Sequence, residues 1–186
     1  MKELDLYTRE RDQLVNKQQL SDKHIFAAVK LLQKEYPEVT GNQSSLLSQK
    51  NGFKRQGEGS VQIHHDGDRA HWLTSTMQEG KVIVYDSKSC RGLSQDMEQQ
   101  LKAIYGGSRS VVIPRIAQQR GSKDCGLFAI AHAWHLAQDD KPQDLVFEQK
   151  KMREHLINCF DSVQLRPFPH TQKRATRTVS DYHTLE

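Results

Sequence analysis

The segment that most constrains the fold is an almost uninterrupted apolar run, CGLFAIAHAWHLA, from Cys125 to Ala137. A helix of this composition is apolar on nearly all of its sides, so it is stable in water only where other elements surround it. The preceding QQRGSKD is polar and contains glycine, which predicts a loop that turns directly into the helix. The rest of the chain must therefore supply the elements that bury this helix.

Those elements can be read along the chain. SDKHIFAAVKLLQKEYP predicts an amphipathic helix that starts at Ser21 or Asp22 and ends before Pro37. VQIHH, HWLTSTM and KVIVYDS are alternating or β-branched runs, and QEG joins the last two as a hairpin. SQDMEQQLKAIYGG predicts a helix with Ser94 as its cap, SVVIP a strand, and FEQKKMREHLINCF a further amphipathic helix. Helices, a small sheet and then helices indicate an α+β domain.

The length of 186 residues fits one domain with a tail. We expect a single domain over residues 1–168, with N-terminal helices in 1–36, a loop at 40–60, a core at 61–137 and a C-terminal helix at about 146–160. Residues 169–186 contain few apolar side chains, which predicts a disordered tail.

Composition narrows the class of protein. The 27 basic and 23 acidic residues give a formal charge of +4, which does not indicate a nucleic-acid binder. Cys90, Cys125 and Cys159 are odd in number and lack CxxC spacing, which argues against a disulfide framework and favours a reducing compartment. The start lacks the apolar core of a signal peptide, and the apolar helix is too short to span a bilayer. We therefore expect a protein of the cytosol or nucleus.

Cys125 stands at the predicted N-terminus of the apolar helix, where the amide dipoles favour an anion and lower the pKa of a thiol. His132 lies seven residues further along the helix, roughly 10 Å of rise, and cannot reach the sulfur. The better base is His71, which begins one strand of the hairpin. Asp86 ends the partner strand, so hairpin pairing can place its carboxylate beside the imidazole.

A glutamine completes this arrangement. Gln119 precedes Cys125 by six residues, and Gly121 between them lets the loop turn back. Its amide can meet the oxyanion of a tetrahedral intermediate beside the backbone N–H of Cys125. Gln118 is the alternative donor. A metal site built from His64, His65 and His71 is disfavoured, because adjacent strand residues point to opposite faces and no zinc-site spacing occurs elsewhere.

The motifs His-Trp, Tyr-Asp-Ser, Gln and Asp-Cys-Gly, in that chain order, resemble the ubiquitin-like protease family. That family includes the SUMO-specific proteases and, more distantly, the adenovirus protease. The resemblance covers His71 to about Leu136, and it implies a papain-like α+β architecture in which a small mixed sheet packs against helices, with the nucleophile at a buried helix N-terminus.

By the same resemblance, Cys125 is the nucleophile, His71 the general base, Asp86 its orienting carboxylate and Gln119 the oxyanion donor. It implies no cofactor and no metal. The partner it implies is a protein substrate, such as a conjugate of a ubiquitin-like modifier or an element-encoded polyprotein.

The wider chain, including LSDKHIFAAVKLLQKEYP and MREHLINCF, resembles protease-like domains of transposon-derived proteins. It departs from the SUMO-protease pattern, because its tryptophans are Trp72 and Trp134 and the N-terminal tryptophan that covers the substrate's di-glycine tail is missing. The substrate therefore stays open. Two rival functions also stay open: a protein-binding module that does not cleave, and DNA binding, which only the slight positive charge supports.

Overall fold

The computed structural model describes residues 2–50, 52–88, 92–173 and 181–184. The helices are α1 (Thr8–Val15), α2 (Asp22–Glu35), α3 (Gln95–Tyr105), α4 (Cys125–Ala137) and α5 (Gln149–Asp161). The strands are β1 (Val61–Asp66), β2 (His71–Gln78), β3 (Lys81–Tyr85), β4 (Ser110–Ile113), β5 (Leu145–Phe147), β6 (His170–Gln172) and β7 (Asp181–Thr184). Within the described part of the chain, no helix has the length and apolar character needed to cross a membrane.

Five strands form one mixed sheet in the order β1-β2-β3-β4-β7. The first three pair antiparallel as a meander, β4 pairs parallel with β3, and β7 closes the far edge antiparallel. The parallel pair arises because α3 carries the chain from β3 back to the start of β4, a crossover that a hairpin cannot make. Strands β5 and β6 form a separate two-stranded sheet. The predicted α+β class is confirmed.

Helix α4 is the centre of the larger core. Every residue from Cys125 to Leu136 is buried, and the helix packs against β1 and β2, α2 and α5. The carbonyl of Ala129 in its middle accepts a hydrogen bond from the hydroxyl of Thr74 on β2 at 2.8 Å. The apolar composition of α4 is explained by this packing, because other parts of the protein cover every face of the helix.

A second apolar cluster covers the opposite face of the sheet, where α3 packs. Strand alternation divides the side chains between the two clusters. On β3, Val82 and Val84 face α3, while Tyr85 belongs to the core around α4. The hydroxyl of Ser94 accepts a hydrogen bond from the N–H of Met97 at 3.1 Å, which makes it the predicted cap of α3.

The C-terminal part differs from expectation. Helix α5 begins at Gln149 rather than near 146, because Leu145–Phe147 pairs with His170–Gln172 as a strand. That partner and Asp181–Thr184 are strands within the segment for which the sequence predicts a disordered tail. Main-chain hydrogen bonds to neighbouring strands hold both segments in place. Such bonds do not require apolar side chains, so a short polar sequence shows no pattern that predicts them. Residues 174–180, 185 and 186, and Cys90, lie outside the described residues.

Candidate active site

The β2–β3 hairpin brings His71 and Asp86 together. His71 is the first residue of β2 and Asp86 follows the last residue of β3, so the antiparallel register returns the chain to the same end of the hairpin. The Nε2–H of His71 donates to Oδ1 of Asp86 at 2.6 Å. The same oxygen accepts from the backbone N–H of Lys88 at 2.8 Å, which fixes the carboxylate. The carboxylate therefore holds the imidazole ring by Nε2.

Cys125 approaches His71 from the other side of the ring. It is the first residue of α4 and only 1% exposed. Its sulfur lies close enough to the His71 ring and to the backbone N–H groups of Trp72 and Gly126 for these groups to lower the pKa of the thiol. Because Nε2 is engaged by Asp86, Nδ1 is the ring atom left for the sulfur. The three side chains thus lie in the order carboxylate, imidazole, thiol.

The pKa shifts of Cys125 and His71 each favour the charged form of the side chain concerned. Burial alone raises the pKa of the Cys125 thiol, but the hydrogen bond from His71 and those from the backbone N–H groups outweigh it, and the pKa is lowered. Burial alone lowers the pKa of His71, yet its hydrogen bonds with Asp86 and Cys125 raise it to about 9. These shifts favour a thiolate beside an imidazolium.

Helix α5 holds the loop that leads into Cys125. Arg153 binds the carboxylate of Asp124, with Nη2 at 2.5 Å and Nε at 3.0 Å from Oδ1. Gln149 donates to the other carboxylate oxygen at 2.6 Å and exchanges two hydrogen bonds with the backbone of Arg120. The guanidinium offsets the negative charge next to Cys125, which reduces its repulsion of a thiolate at that position.

The two glutamines of this loop have different surroundings. Gln119 is partly buried, with Oε1 accepting from the Ser87 hydroxyl at 2.7 Å and Nε2 donating to the Gly121 carbonyl at 2.9 Å. A primary amide has two N–H donors, so the second remains for a ligand. Gln118 is exposed, and its Nε2 donates to the Ile116 carbonyl at 3.2 Å. The firmer anchoring favours Gln119 as the positioned donor.

The structure also brings a residue to the sulfur that the sequence analysis missed. Gln19, in the turn before α2, places its Nε2 at 3.7 Å from Sγ of Cys125. The same nitrogen donates to the carbonyl of Ala70 at 2.7 Å. No spacing rule points to a contact between residues so far apart in the chain. The one sign of this contact in the sequence is the pair of glutamines at positions 18 and 19.

Leu20 fixes the position of this segment. Its carbonyl accepts from the indole N–H of Trp72 at 3.0 Å. Its side chain lies directly over Gly126, where a Cβ would come within 2.9 Å of the Leu20 Cβ. Glycine at position 126 therefore lets the N-terminal segment approach the start of α4.

Gly126→Ala is expected to lower the free energy of unfolding by up to about 2 kcal/mol, because overpacking typically costs about 1–3 kcal/mol and the gain in helix propensity returns about 1. Urea denaturation measures it. Gly107→Ala is the matched control, since a methyl group there meets nothing within 4 Å, and a change within about 0.5 kcal/mol is expected as for most surface positions. Equal effects of the two substitutions would contradict the close contact.

The other candidate histidines lie in structural networks. His64 is fully buried between Gln100 and Ser75, at 3.0 and 2.7 Å, and burial lowers its pKa to about 4. The ring of His65 packs against Trp72 at 4.7 Å between centroids. Among the residues that the structure describes, no group of three or more His, Cys, Asp or Glu is arranged to hold a metal ion.

Comparison with solved structures identifies the fold. The SUMO protease Ulp1 with its catalytic cysteine oxidized to a sulfonic acid has a TM-score of 0.68 at 16% identity, with 88% of each chain covered. The Ulp1 protease domain in complex with Smt3, the yeast ortholog of SUMO, has a TM-score of 0.60 at 16% identity, covering 83% of this chain and 81% of that one. A de-sumoylating protease has a TM-score of 0.59 at 12% identity, with 86% of each chain covered.

The chain therefore has the α+β fold of this protease domain, with Cys125 at the N-terminus of its buried helix, as the sequence predicts. A scan against family models finds no match, and a search of curated sequences finds none either.

Proposed function

We propose that the protein is a cysteine peptidase that cleaves a peptide or isopeptide bond at the C-terminus of a ubiquitin-like modifier. One observation carries the proposal: His71 is hydrogen-bonded to Asp86 and lies beside Cys125, the first residue of a buried helix. The fold shared with SUMO proteases supports it. So does the pair of pKa shifts, because perturbed titration of a cysteine and a histidine in contact is typical of a nucleophile and its base.

The residues would act in sequence by acyl transfer. The Cys125 thiolate attacks the carbonyl carbon, a C–S bond forms, and the π electrons move onto the oxygen. The backbone N–H of Cys125 and the side chain of Gln119 are the proposed donors to this oxyanion. Its collapse breaks the C–N bond, and the His71 imidazolium gives its proton to the leaving amine. Water then attacks the thioester with His71 as base and releases the acid and the thiolate.

The burial of the sulfur supports a substrate with a thin C-terminal segment. Cys125 is 1% exposed, with Trp72 and Gln19 around it. Only residues without bulky side chains can bring a carbonyl carbon to a sulfur so enclosed. Glycines at the scissile bond, as in modifiers with a di-glycine tail, meet this requirement.

A groove beside the site offers room for the rest of a bound protein. It has a volume of about 1110 Å³, and its lining includes Gln118, Phe128 and Asp124, which directly precedes Cys125 in the chain. A second hollow of about 360 Å³ contains Asp86 and shares Gln118 with the first. Asp86 and Asp124, the residue before Cys125, thus line two adjoining hollows, which suits a chain that enters on one side and leaves on the other.

The finer assignments rest on the sequence. We infer a derivation from a transposon-encoded protease from the resemblance of the N- and C-terminal segments alone. We infer a reducing compartment, the cytosol or the nucleus, from a site that needs a free thiol. Cys125 and Cys159 are both free, which agrees with this inference.

A panel of modifiers carrying a C-terminal propargylamide tests the proposal. SUMO and ubiquitin forms are each incubated with the protein, and adducts are located by mass spectrometry of peptides. We expect one modifier to form a stoichiometric adduct at Cys125, which Cys125→Ala abolishes. A modifier that binds without reacting would favour the rival, a binding module. Absence of any adduct from a panel of modifiers, together with cleavage of an unrelated polyprotein segment, would move the substrate to the polyprotein class.

A further inference from the structure

The turn before α2 takes part in the candidate active site, although it lies more than one hundred residues from Cys125 in sequence. We propose that Gln19 is a second side-chain donor to the oxyanion, and hence a catalytic residue that the spacing of motifs around Cys125 does not reveal. The inference deepens the proposed function and rests on it, because an oxyanion forms only if the Cys125 thiolate adds to a carbonyl.

The contacts of the Gln19 amide leave one N–H aimed at the reacting atom. Its Nε2 donates to the Ala70 carbonyl at 2.7 Å and lies 3.7 Å from Sγ of Cys125. A primary amide nitrogen carries two hydrogens, so one serves Ala70 and the other serves the sulfur. In the resting protein the second contact is long for a hydrogen bond.

Attack on a carbonyl changes the acceptor that lies nearest to this N–H of Gln19. When the C–S bond forms, the former carbonyl oxygen becomes negatively charged on the carbon next to the sulfur. An N–H directed at the sulfur is then close to a charged oxygen, to which it can form a short charge-assisted hydrogen bond, while the sulfur itself loses its charge. Because the interaction strengthens only as charge develops, it lowers the barrier rather than improving substrate binding.

The surroundings of Gln19 hold it ready for this role. Ala70, which accepts from the amide, directly precedes His71, and Trp72, which binds the Leu20 carbonyl, directly follows it. The Leu20 side chain rests on Gly126, the residue after Cys125. The segment is therefore tied to the immediate neighbours of both reacting residues. A donor held in this way needs no reorganisation at the moment of reaction.

Gln19 and Gln119 supply their amides from different parts of the chain. Gln119 is held by Ser87 and Gly121, and Gln19 by Ala70. Each keeps one N–H beyond its structural hydrogen bond. Besides the proposed role as oxyanion donor, two other roles for Gln19 are to be tested: stabilising the resting thiolate, and covering the thiol so that solvent does not reach it. The three roles predict different responses to one substitution.

Gln19→Met keeps the length of the side chain and removes both N–H donors, and Gln18→Met makes the same change at the exposed neighbour. Three readouts are compared. Turnover of a modifier fused to a C-terminal fluorophore gives kcat and KM. Acetyl-glycyl-glycinal adds reversibly to the sulfur and builds a hemithioacetal oxygen in the oxyanion position. Iodoacetamide alkylates the sulfur with loss of iodide and builds no such oxygen.

For Gln19→Met we expect kcat to fall on the order of a hundredfold to a thousandfold, the usual effect of removing one oxyanion donor, with KM within about threefold. The aldehyde is expected to bind at least about tenfold more weakly, while the alkylation rate and its pH profile stay within about twofold. Gln18→Met is expected to leave all three readouts unchanged.

Other patterns would overturn the proposal. Unchanged kcat and aldehyde affinity exclude an oxyanion role, faster alkylation alone indicates a cover, and an alkylation profile shifted to higher pH indicates stabilisation of the thiolate. The aldehyde separates this inference from the proposed function. If the wild-type protein turns over no modifier, that function fails, yet weaker aldehyde binding by Gln19→Met still supports the donor role. A wild-type sulfur that binds no aldehyde contradicts both.

Discussion

Cys125→Ala is expected to reduce turnover of a modifier-derived substrate by roughly a millionfold, the loss typical when the nucleophile of a protease is removed. The reason is chemical rather than structural, because no other described cysteine is close to His71. The substitution removes one buried sulfur and leaves a side chain of similar shape at a helix N-terminus. We therefore expect the helical circular dichroism to be unchanged and the protein to stay folded.

Cys159→Ala provides the matched control. Cys159 is also 1% exposed and also contacts a histidine, with its Sγ 3.4 Å from Nε2 of His155. Burial raises the pKa of the Cys159 thiol, whereas the net effect at Cys125 is a lowered pKa. A neighbouring histidine alone therefore does not make a nucleophile. Cys159→Ala should keep full turnover, and turnover retained by Cys125→Ala would refute the assignment of the nucleophile.

His71→Ala is expected to lower turnover by at least about a thousandfold, because general acid–base catalysis alone contributes 10²–10⁴. Two effects combine. The leaving amine loses its proton donor, and the thiol loses the hydrogen bond that most strongly lowers its pKa. Asp86→Asn is expected to have a smaller effect, since the carboxylate orients the imidazole and stabilises its charge without taking the proton itself.

His155→Ala is the control for this substitution, because His155 lies beside the other described buried cysteine, with its Nε2 at 3.4 Å from Sγ of Cys159. Its turnover should equal that of the wild-type protein within about twofold. Near-normal turnover by His71→Ala would require another base. His64 is a poor replacement, because both of its ring nitrogens are engaged by Gln100 and Ser75.

The parts of the fold that the sequence predicts are those with strong local patterns. The apolar run of α4 requires burial on all sides, and the structure buries it. The two runs joined by QEG pair as β2 and β3, which puts His71 and Asp86 at one end of the hairpin. In each case the information lies within a short stretch of chain, in hydrophobic periodicity or in a turn.

What the sequence does not predict depends on tertiary contacts. Gln19 reaches Cys125 because Leu20 packs on Gly126 and binds Trp72, three contacts that no periodicity encodes. The ion pair of Asp124 and Arg153, which offsets the negative charge next to Cys125, likewise joins two separate elements. Strand β6 is held by main-chain pairing, which any polar sequence can provide. Such features become visible only once the elements have been placed.

The central claim is that Cys125 and His71 form a thiolate–imidazolium pair. The pKa shifts set the pH range in which this pair exists. The thiolate forms above the lowered pKa of Cys125, and the imidazolium persists up to the pKa of His71 at about 9. Between these limits both the nucleophile and the proton donor are in their active forms, so turnover should be highest there. It should fall at lower pH as the sulfur is protonated, and above about pH 9 as the imidazole loses its proton.

The most direct measurement is the rate of iodoacetamide labelling at each cysteine as a function of pH, followed by mass spectrometry of peptides. We expect Cys125 in the wild-type protein to be labelled rapidly at neutral pH, where Cys159 is not. In His71→Ala the labelling of Cys125 should move to higher pH, because burial then acts on the thiol without the opposing hydrogen bond. A labelling profile of Cys125 that is the same in both proteins and matches that of Cys159 would contradict the pair.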